Sequence, residues 1–174
     1  MKNMKKLALF AAGLLMPALS QAAQPQGVKA GIGGSLRSDD ALIYLPIEVG
    51  PVFRVEPFFG WSKMDLTVGG ASTSSESRVL GAGGFFRLDL HERIQTYFGG
   101  RLAYVEVDNG GGDLDGFDIE PTVGAEFYVT ERVSVALEAF LYYQNIDGSN
   151  GGGAAVEQEN TGSDTRLLVR FFPF

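Results

Sequence analysis

The sequence predicts an all-β chain, an eight-stranded antiparallel up-and-down transmembrane β-barrel, and three observations carry that expectation. From Val28 onward, apolar and polar residues alternate in eight runs, with no 3.6-residue period in any of them. Most runs exceed the about five or six residues of a soluble strand and suit the roughly 9–11 that a tilted membrane strand needs. Short and long connections then alternate along the chain, as they do when all turns of one kind lie at one end of a barrel.

The first element lies outside the barrel. Lys2, Lys5 and Lys6 precede the apolar stretch Leu7 to Met16, Pro17 ends it, and Ser20-Gln21-Ala22 offers a small-x-small cleavage site. That stretch is far short of the roughly 20 apolar residues of a spanning helix. Residues 1–22 therefore read as a cleaved signal peptide and residues 23–174 as one barrel domain. No cysteine follows the cleavage site, which excludes a lipoprotein anchor, and the chain holds none elsewhere. Thiol chemistry and Cys-based metal sites are excluded with it, and a single histidine, His91, leaves little for His-dependent catalysis. Three of the 14 basic residues and none of the 21 acidic ones fall in the leader, so the mature stretch is strongly acidic. That charge argues against nucleic acid and against attraction to anionic lipid surfaces. The 24 glycines and 11% aromatic residues fit a β-protein and not a helical bundle.

The runs are approximately 28–37, 42–49, 53–66, 78–90, 94–108, 116–129, 133–147 and 163–174. In the third, Phe53, Val55, Phe59 and Trp61 share one face against Arg54, Glu56, Gly60 and Ser62. In the fourth, Leu80, Ala82, Phe86, Leu88 and Leu90 oppose Gly81, Gly83, Arg87 and Asp89. In the sixth, Phe117, Ile119, Val123, Phe127 and Val129 oppose Asp118, Glu120, Thr122 and Glu126, and in the seventh Val133, Val135, Leu137, Leu141 and Tyr143 oppose Ser134, Glu138 and Gln144. A soluble sandwich turns the apolar face inward, whereas a membrane barrel turns it to lipid.

The connections decide between them. Keeping like faces together pairs Val49 with Phe53 around Gly50-Pro51-Val52, Leu90 with Ile94 around His91-Glu92-Arg93, and Val129 with Val133 around Thr130-Glu131-Arg132. The alternate connections, Thr67–Ser77, Asn109–Asp115 and Gly148–Gly162, read as longer polar loops, with Ser38–Ala41 the short exception. Only a barrel with two unlike ends explains that asymmetry. Pro46, Pro57 and Pro121 each remove a ladder donor and are expected at bulges or strand ends.

The chain closes Arg166-Leu167-Leu168-Val169-Arg170-Phe171-Phe172-Pro173-Phe174. A last strand ending in a terminal aromatic resembles the C-terminal signature of bacterial outer-membrane barrels. With the leader and the eight runs, the mature stretch resembles the OmpA/OmpX-type class of small barrels. The resemblance implies a monomer in the outer membrane of a Gram-negative bacterium, touching outer-membrane lipid. Barrel-assembly machinery and periplasmic chaperones would be its partners during biogenesis. The family pattern, counted back from Phe174, would turn Arg166 and Arg170 toward lipid. An arginine at the bilayer midplane costs about 2–4 kcal/mol, so Leu167, Val169 and Phe171 are expected outside instead, with Pro173 resetting the end.

By these parities the interior receives Lys29, Arg37, Arg54, Arg87, Arg101, Arg166 and Arg170 against Glu48, Glu56, Asp89, Asp118, Glu120, Glu126 and Glu138. Eight strands leave a lumen that side chains fill, and buried charge must be paired. The expected function is accordingly structural or envelope-associated, with a plugged lumen. A small passage for solutes, a surface-binding module acting through the acidic Gly-rich loops, and a lipid-modifying enzyme are the alternatives. Asp118, Glu120, Glu126 and Glu138 are read as counterions, not as an acid/base pair, and His91 with Glu92 as turn residues. Asp108–Gly116 faintly resembles a calcium loop but lacks the downstream glutamate of an EF-hand. Trp61, Tyr104, Phe117, Tyr143, Phe86, Phe127 and Phe171 read as interfacial girdles. No catalytic residue, metal or cofactor is expected. The leader reading predicts that the exported protein begins at Ala23, which intact-mass measurement of material from the membrane fraction checks.

Overall fold

The computed structural model describes residues 27–36, 41–68, 71–108, 112–149 and 153–173; the stretch read as a leader, Arg37 and Phe174 lie outside them. Ten ladder segments form: β1 (Val28–Ala30), β2 (Ile32–Leu36), β3 (Ala41–Tyr44), β4 (Ile47–Val49), β5 (Phe53–Val68), β6 (Ala71–His91), β7 (Ile94–Asp108), β8 (Asp113–Tyr128), β9 (Val133–Ser149) and β10 (Ala155–Phe171). β1 with β2, and β3 with β4, are single staves broken at Gly31 and at Leu45-Pro46, so the wall has eight staves. Every stave pairs antiparallel with both neighbours, and β10 returns to β2, which closes the ring.

The ring is staggered. Followed from partner to partner through Val28, Val49, Phe53, Phe86, Phe98, Val123, Ala139 and Thr165, the circuit re-enters the first stave two positions beyond Leu36, ten residues above its start. A stagger of that size over eight staves, at about 3.3 Å per residue and 4.8 Å between strands, tilts them by about 40°.

Outward positions divide into levels. Phe53, Phe86, Phe98, Phe127 and Phe171 form a lower aromatic row, and Trp61, Tyr104, Phe117 and Tyr143 an upper one. Phe53 and Trp61 lie eight residues apart on β5, about 20 Å of height at that tilt. Leu88, Leu102, Val123, Leu137 and Leu141 fill the band and are more than half exposed. Among the described residues, outward positions between the rows carry no charge, and Thr96, Ser163 and Thr165 are the polar exceptions. This is the girdled apolar band, about 25 Å tall, of a membrane barrel. Leu167, Val169 and Phe171 face out and Arg166 and Arg170 face in, as the cost of an outward arginine required.

The prolines sit where the ladder skips. Pro57, lacking an N–H, faces the break between β3 and β4, and its carbonyl accepts the Leu45 N–H (2.8 Å). The carbonyl of Pro46 takes the Gly31 N–H (2.8 Å). Pro121 lies inside β8 and not at an end; the β8–β9 register runs to Ile119 and resumes at Thr122. Val49 faces Phe53 across Gly50, whose φ of +62° suits glycine, and the Val129 N–H bonds the Val133 carbonyl.

Two expectations are corrected. Leu90 does not pair with Ile94: the register slips between Asp89 and His91, so Leu90 bulges, His91 ends β6 opposite Ile94, and Glu92-Arg93 make the turn. The segments read as the long loops Thr67–Ser77 and Gly148–Gly162 are mostly strand, since β5–β6 pair up to Val68 and Ala71 and β9–β10 up to Ser149 and Ala155. These segments are rich in Gly, Ser, Thr and Glu, so they show no apolar alternation to read.

The core is the lumen. Tyr44, Phe58, Phe85, Tyr97, Leu42, Ala136 and Leu168 form one buried cluster, and Val105, Leu114 and Ile146 a second nearer the end with the tall hairpins. Glycines on the inner face make room for the rings. A Cβ on Gly81 would lie 2.5 Å from Phe58 Cζ, and one on Gly124 equally close to Tyr97 Cζ. Gly124→Val should therefore destabilise the barrel by about 1–3 kcal/mol in urea titrations in detergent. Ala125→Val on the lipid face should leave the midpoint unchanged, and both variants should keep the gel shift between boiled and unboiled samples.

Candidate functional site: an ion-paired lumen

The inner parity of seven staves delivers five arginines and five glutamates to one connected network. Glu48 lies on β4, Arg54 and Glu56 on β5, Arg87 on β6, Arg101 on β7, Glu120 and Glu126 on β8, Glu138 on β9, and Arg166 and Arg170 on β10. At the end with the short turns, Arg87 pairs with Glu48, and its other nitrogen donates to the Gly50 and Pro51 carbonyls (both 3.1 Å). Arg54 bridges Glu48 (2.9 Å) and Glu126 (2.5 Å), and Glu126 also accepts from the Ser134 hydroxyl.

Higher up, Arg170 spans Glu56 (2.9 Å), Glu138 (3.4 Å) and Glu126 (3.5 Å). Arg101 donates to both oxygens of Glu138 (2.8 and 2.9 Å) and to Glu56 (2.6 Å). Tyr97 donates to Glu138 at 2.7 Å. Arg166 holds Glu120 at 2.5 Å and donates to the Tyr44 hydroxyl at 3.0 Å. Glu138 is the hub: Arg101, Arg170 and, at 3.7 Å, Arg166 converge on it.

Hydrogen bonding alone leaves guanidinium nitrogens unsatisfied, among them Nε of Arg54, Arg101 and Arg166. Aromatic faces meet those cations. Arg166 lies 4.0 Å from the centroid of Phe140, Arg101 lies 4.7 Å from Phe85 and 5.2 Å from Tyr44, and Arg54 and Arg170 lie 5.4 and 5.5 Å from Tyr97. Such contacts strengthen as water is excluded.

Ten of the 14 interior charges expected from sequence are in this buried network. Lys29 and Asp89 are exposed; with Gln95 they line a vestibule of about 890 Å³ at the short-turn mouth, whose floor is Glu48, Arg87 and Tyr128. Asp89 accepts from Gln95 there (2.6 Å). Asp118 is half-buried on the inner face, and Arg37 lies outside the described residues. The reading of Glu120, Glu126 and Glu138 as counterions agrees with their arginine partners. The inward rings Tyr44, Phe58, Phe85, Tyr97, Phe140 and Phe172 were missed, although Phe58 follows Glu56 and Phe85 precedes Arg87 by two positions and so shares their parity. In the segment likened to a calcium loop, Asp108 pairs across the ladder with Asp113, and residues 109–111 lie outside the described set. No group of three or more potential metal ligands occurs among the described residues.

Two solved structures share this architecture. One is Neisserial surface protein A, NspA, at 16% identity and TM-score 0.56 over 83% of this chain and 93% of that one. The other is a major outer membrane protein of Thermus thermophilus, at 11% identity and TM-score 0.56 over 84% of this chain and 100% of that one. No family model matches the chain, and no curated protein does. The fold is that of the small eight-stranded outer-membrane β-barrels, the class to which the sequence pointed.

Removing one partner of a buried network strands the rest. Glu138→Ala should therefore lower unfolding free energy by about 3–5 kcal/mol in urea titrations. Glu76→Ala, which breaks an exposed pair with Arg78 (2.6 Å), should cost less than about 1 kcal/mol.

Proposed function

We propose that this protein is an integral outer-membrane barrel with a sealed lumen and a structural or envelope-associated role, carrying out no catalysis. The observation that supports this reading most is the network itself. Arg54, Arg101, Arg170, Glu56, Glu126 and Glu138 are all at most 1% exposed and close the barrel's cross-section. Their formal charges cancel across the ten members, so the network holds no excess charge that would select a permeant ion. The apolar band between two aromatic rows supports residence in a bilayer, and a cleaved leader with delivery by periplasmic chaperones and barrel-assembly machinery completes the route. Among the described residues, guanidinium groups and rings fill the interior of the eight staves, as a lumen of that size permits.

Conductance tests the reading against that of a small pore. The mature chain refolded into a planar bilayer should give no discrete current steps. Reproducible unitary steps that change size in Arg101→Ala or Glu138→Gln would place ions in the lumen and overturn the sealed reading.

A further inference from the structure

The wall is not equally tall all round. Among the described residues, β10 pairs with β2 only up to Leu167, opposite Leu36, and β5 pairs with β3 only up to Trp61, opposite Ala41. The other six strands continue as a curved sheet, which leaves a notch two staves wide between β5 and β10. Thr161 lies opposite Tyr143 of the upper aromatic row, so Ala155–Thr161 stands beyond the lipid.

This edge offers hydrogen bonds. The Phe172 N–H bonds Arg132 on the β9 side (2.8 Å). Backbone groups alternate in direction along an antiparallel strand. Even-numbered β10 residues therefore bond β9, while odd-numbered ones face the other way, as the Phe171 and Val169 carbonyls do toward Gly31 and Gly33. Among the described residues, Ala155–Gly162 pair with β9 alone, so Ala155, Glu157, Glu159 and Thr161 turn their N–H and C=O groups into the notch. The same odd parity places their side chains on the outer face.

Charge identifies what fits there. Arg78, Glu106, Asp115, Asp147 and Glu157 are successive cross-strand partners, one row across the outer face of β6 to β10. Four carboxylates stand side by side against one arginine, which already pairs with Glu76. Like charges directly opposite each other are unfavourable, and the row ends open at the notch. A second copy offering the same edge would add a further carboxylate.

We propose that the notch is a β-augmentation site for an extended, basic segment of a partner polypeptide, which pairs antiparallel with Ala155–Thr161. A lysine or arginine beside Glu157 completes the charge row, and alternate apolar side chains turn inward beside Val156. Backbone bonds supply the affinity, and the alternating side chains supply the specificity. The site is independent of the lumen, so a conducting barrel would leave it standing.

The test uses the mature barrel in vesicles and a labelled, blocked peptide of alternating lysine and valine, compared with its glutamate–valine counterpart. The lysine peptide should bind saturably and protect the Glu157, Glu159 and Thr161 amides from hydrogen exchange. Thr161→Pro removes one edge donor and leaves the β9 ladder intact, a position where proline is tolerated; it should weaken binding roughly tenfold or more. Glu157→Lys should shift preference toward the glutamate peptide, and it carries the test should Thr161→Pro lose its gel shift. Equal binding by a folded Thr161→Pro would mean mere electrostatic or lipid association and would overturn the proposal. So would protection of those amides without peptide, which would mean that the chain itself, a second copy or surface sugar already covers the edge.

Discussion

A bilayer offers no water to a peptide group, so each N–H and C=O at that depth must find its partner within the protein. A sheet meets that condition only by closing, because every open edge leaves a column of unpaired groups. The remaining features of the ring follow from it. Closure over eight staves fixes the tilt, the tilt sets how many residues span the apolar band, and the alternation of side chains sends every second residue to lipid. The prolines show how firmly the condition holds: Pro57 and Pro121 are placed where the neighbouring stave breaks or its pairing is interrupted.

Closure also creates an interior that lipid cannot fill. Its occupants are unusual for a core, since five guanidinium groups and five carboxylates replace the aliphatic packing of a soluble domain. Isolated, any one of these charges would be costly to bury. Glu138, Glu126 and Glu56 each serve more than one arginine, and rings such as Phe140 and Phe85 cover guanidinium groups whose hydrogen bonding is incomplete. The small inner residues Gly81 and Gly124 are part of the same arrangement, because the rings of Phe58 and Tyr97 occupy the volume that their side chains would take.

The ring itself was legible in the sequence. Parity alone placed Arg54, Glu56, Arg101 and Glu138 inside and Phe86, Phe127 and Val169 outside, because a charge facing lipid is expensive enough to enforce the pattern at every stave. Where that enforcement lapses, legibility lapses too. The lumen accepts rings as readily as charges, so Phe58, Phe85 and Phe140 carried no signal of their own. Above the upper aromatic row, Ser, Thr and Glu suit both faces of a strand, and segments that form long ladders looked like loops. The slip at Leu90 depends on backbone geometry at the turn, which composition does not encode. Pairing partners within the lumen depend on stagger, and no single-stave pattern reports it.

Among the described residues, the seam where the ring closes is the narrowest ladder. β2 contributes five residues to it, whereas β9 and β10 pair over 17. The first and last strand residues, Val28 and Phe171, lie at the same rim and on adjoining staves. A load applied between them would be borne by that short seam, and by β1 against β4, before any tall hairpin felt it. Mechanically the molecule is a zipper with its slider at one rim: it would part along the first stave, while the six tall strands peel away together as one sheet.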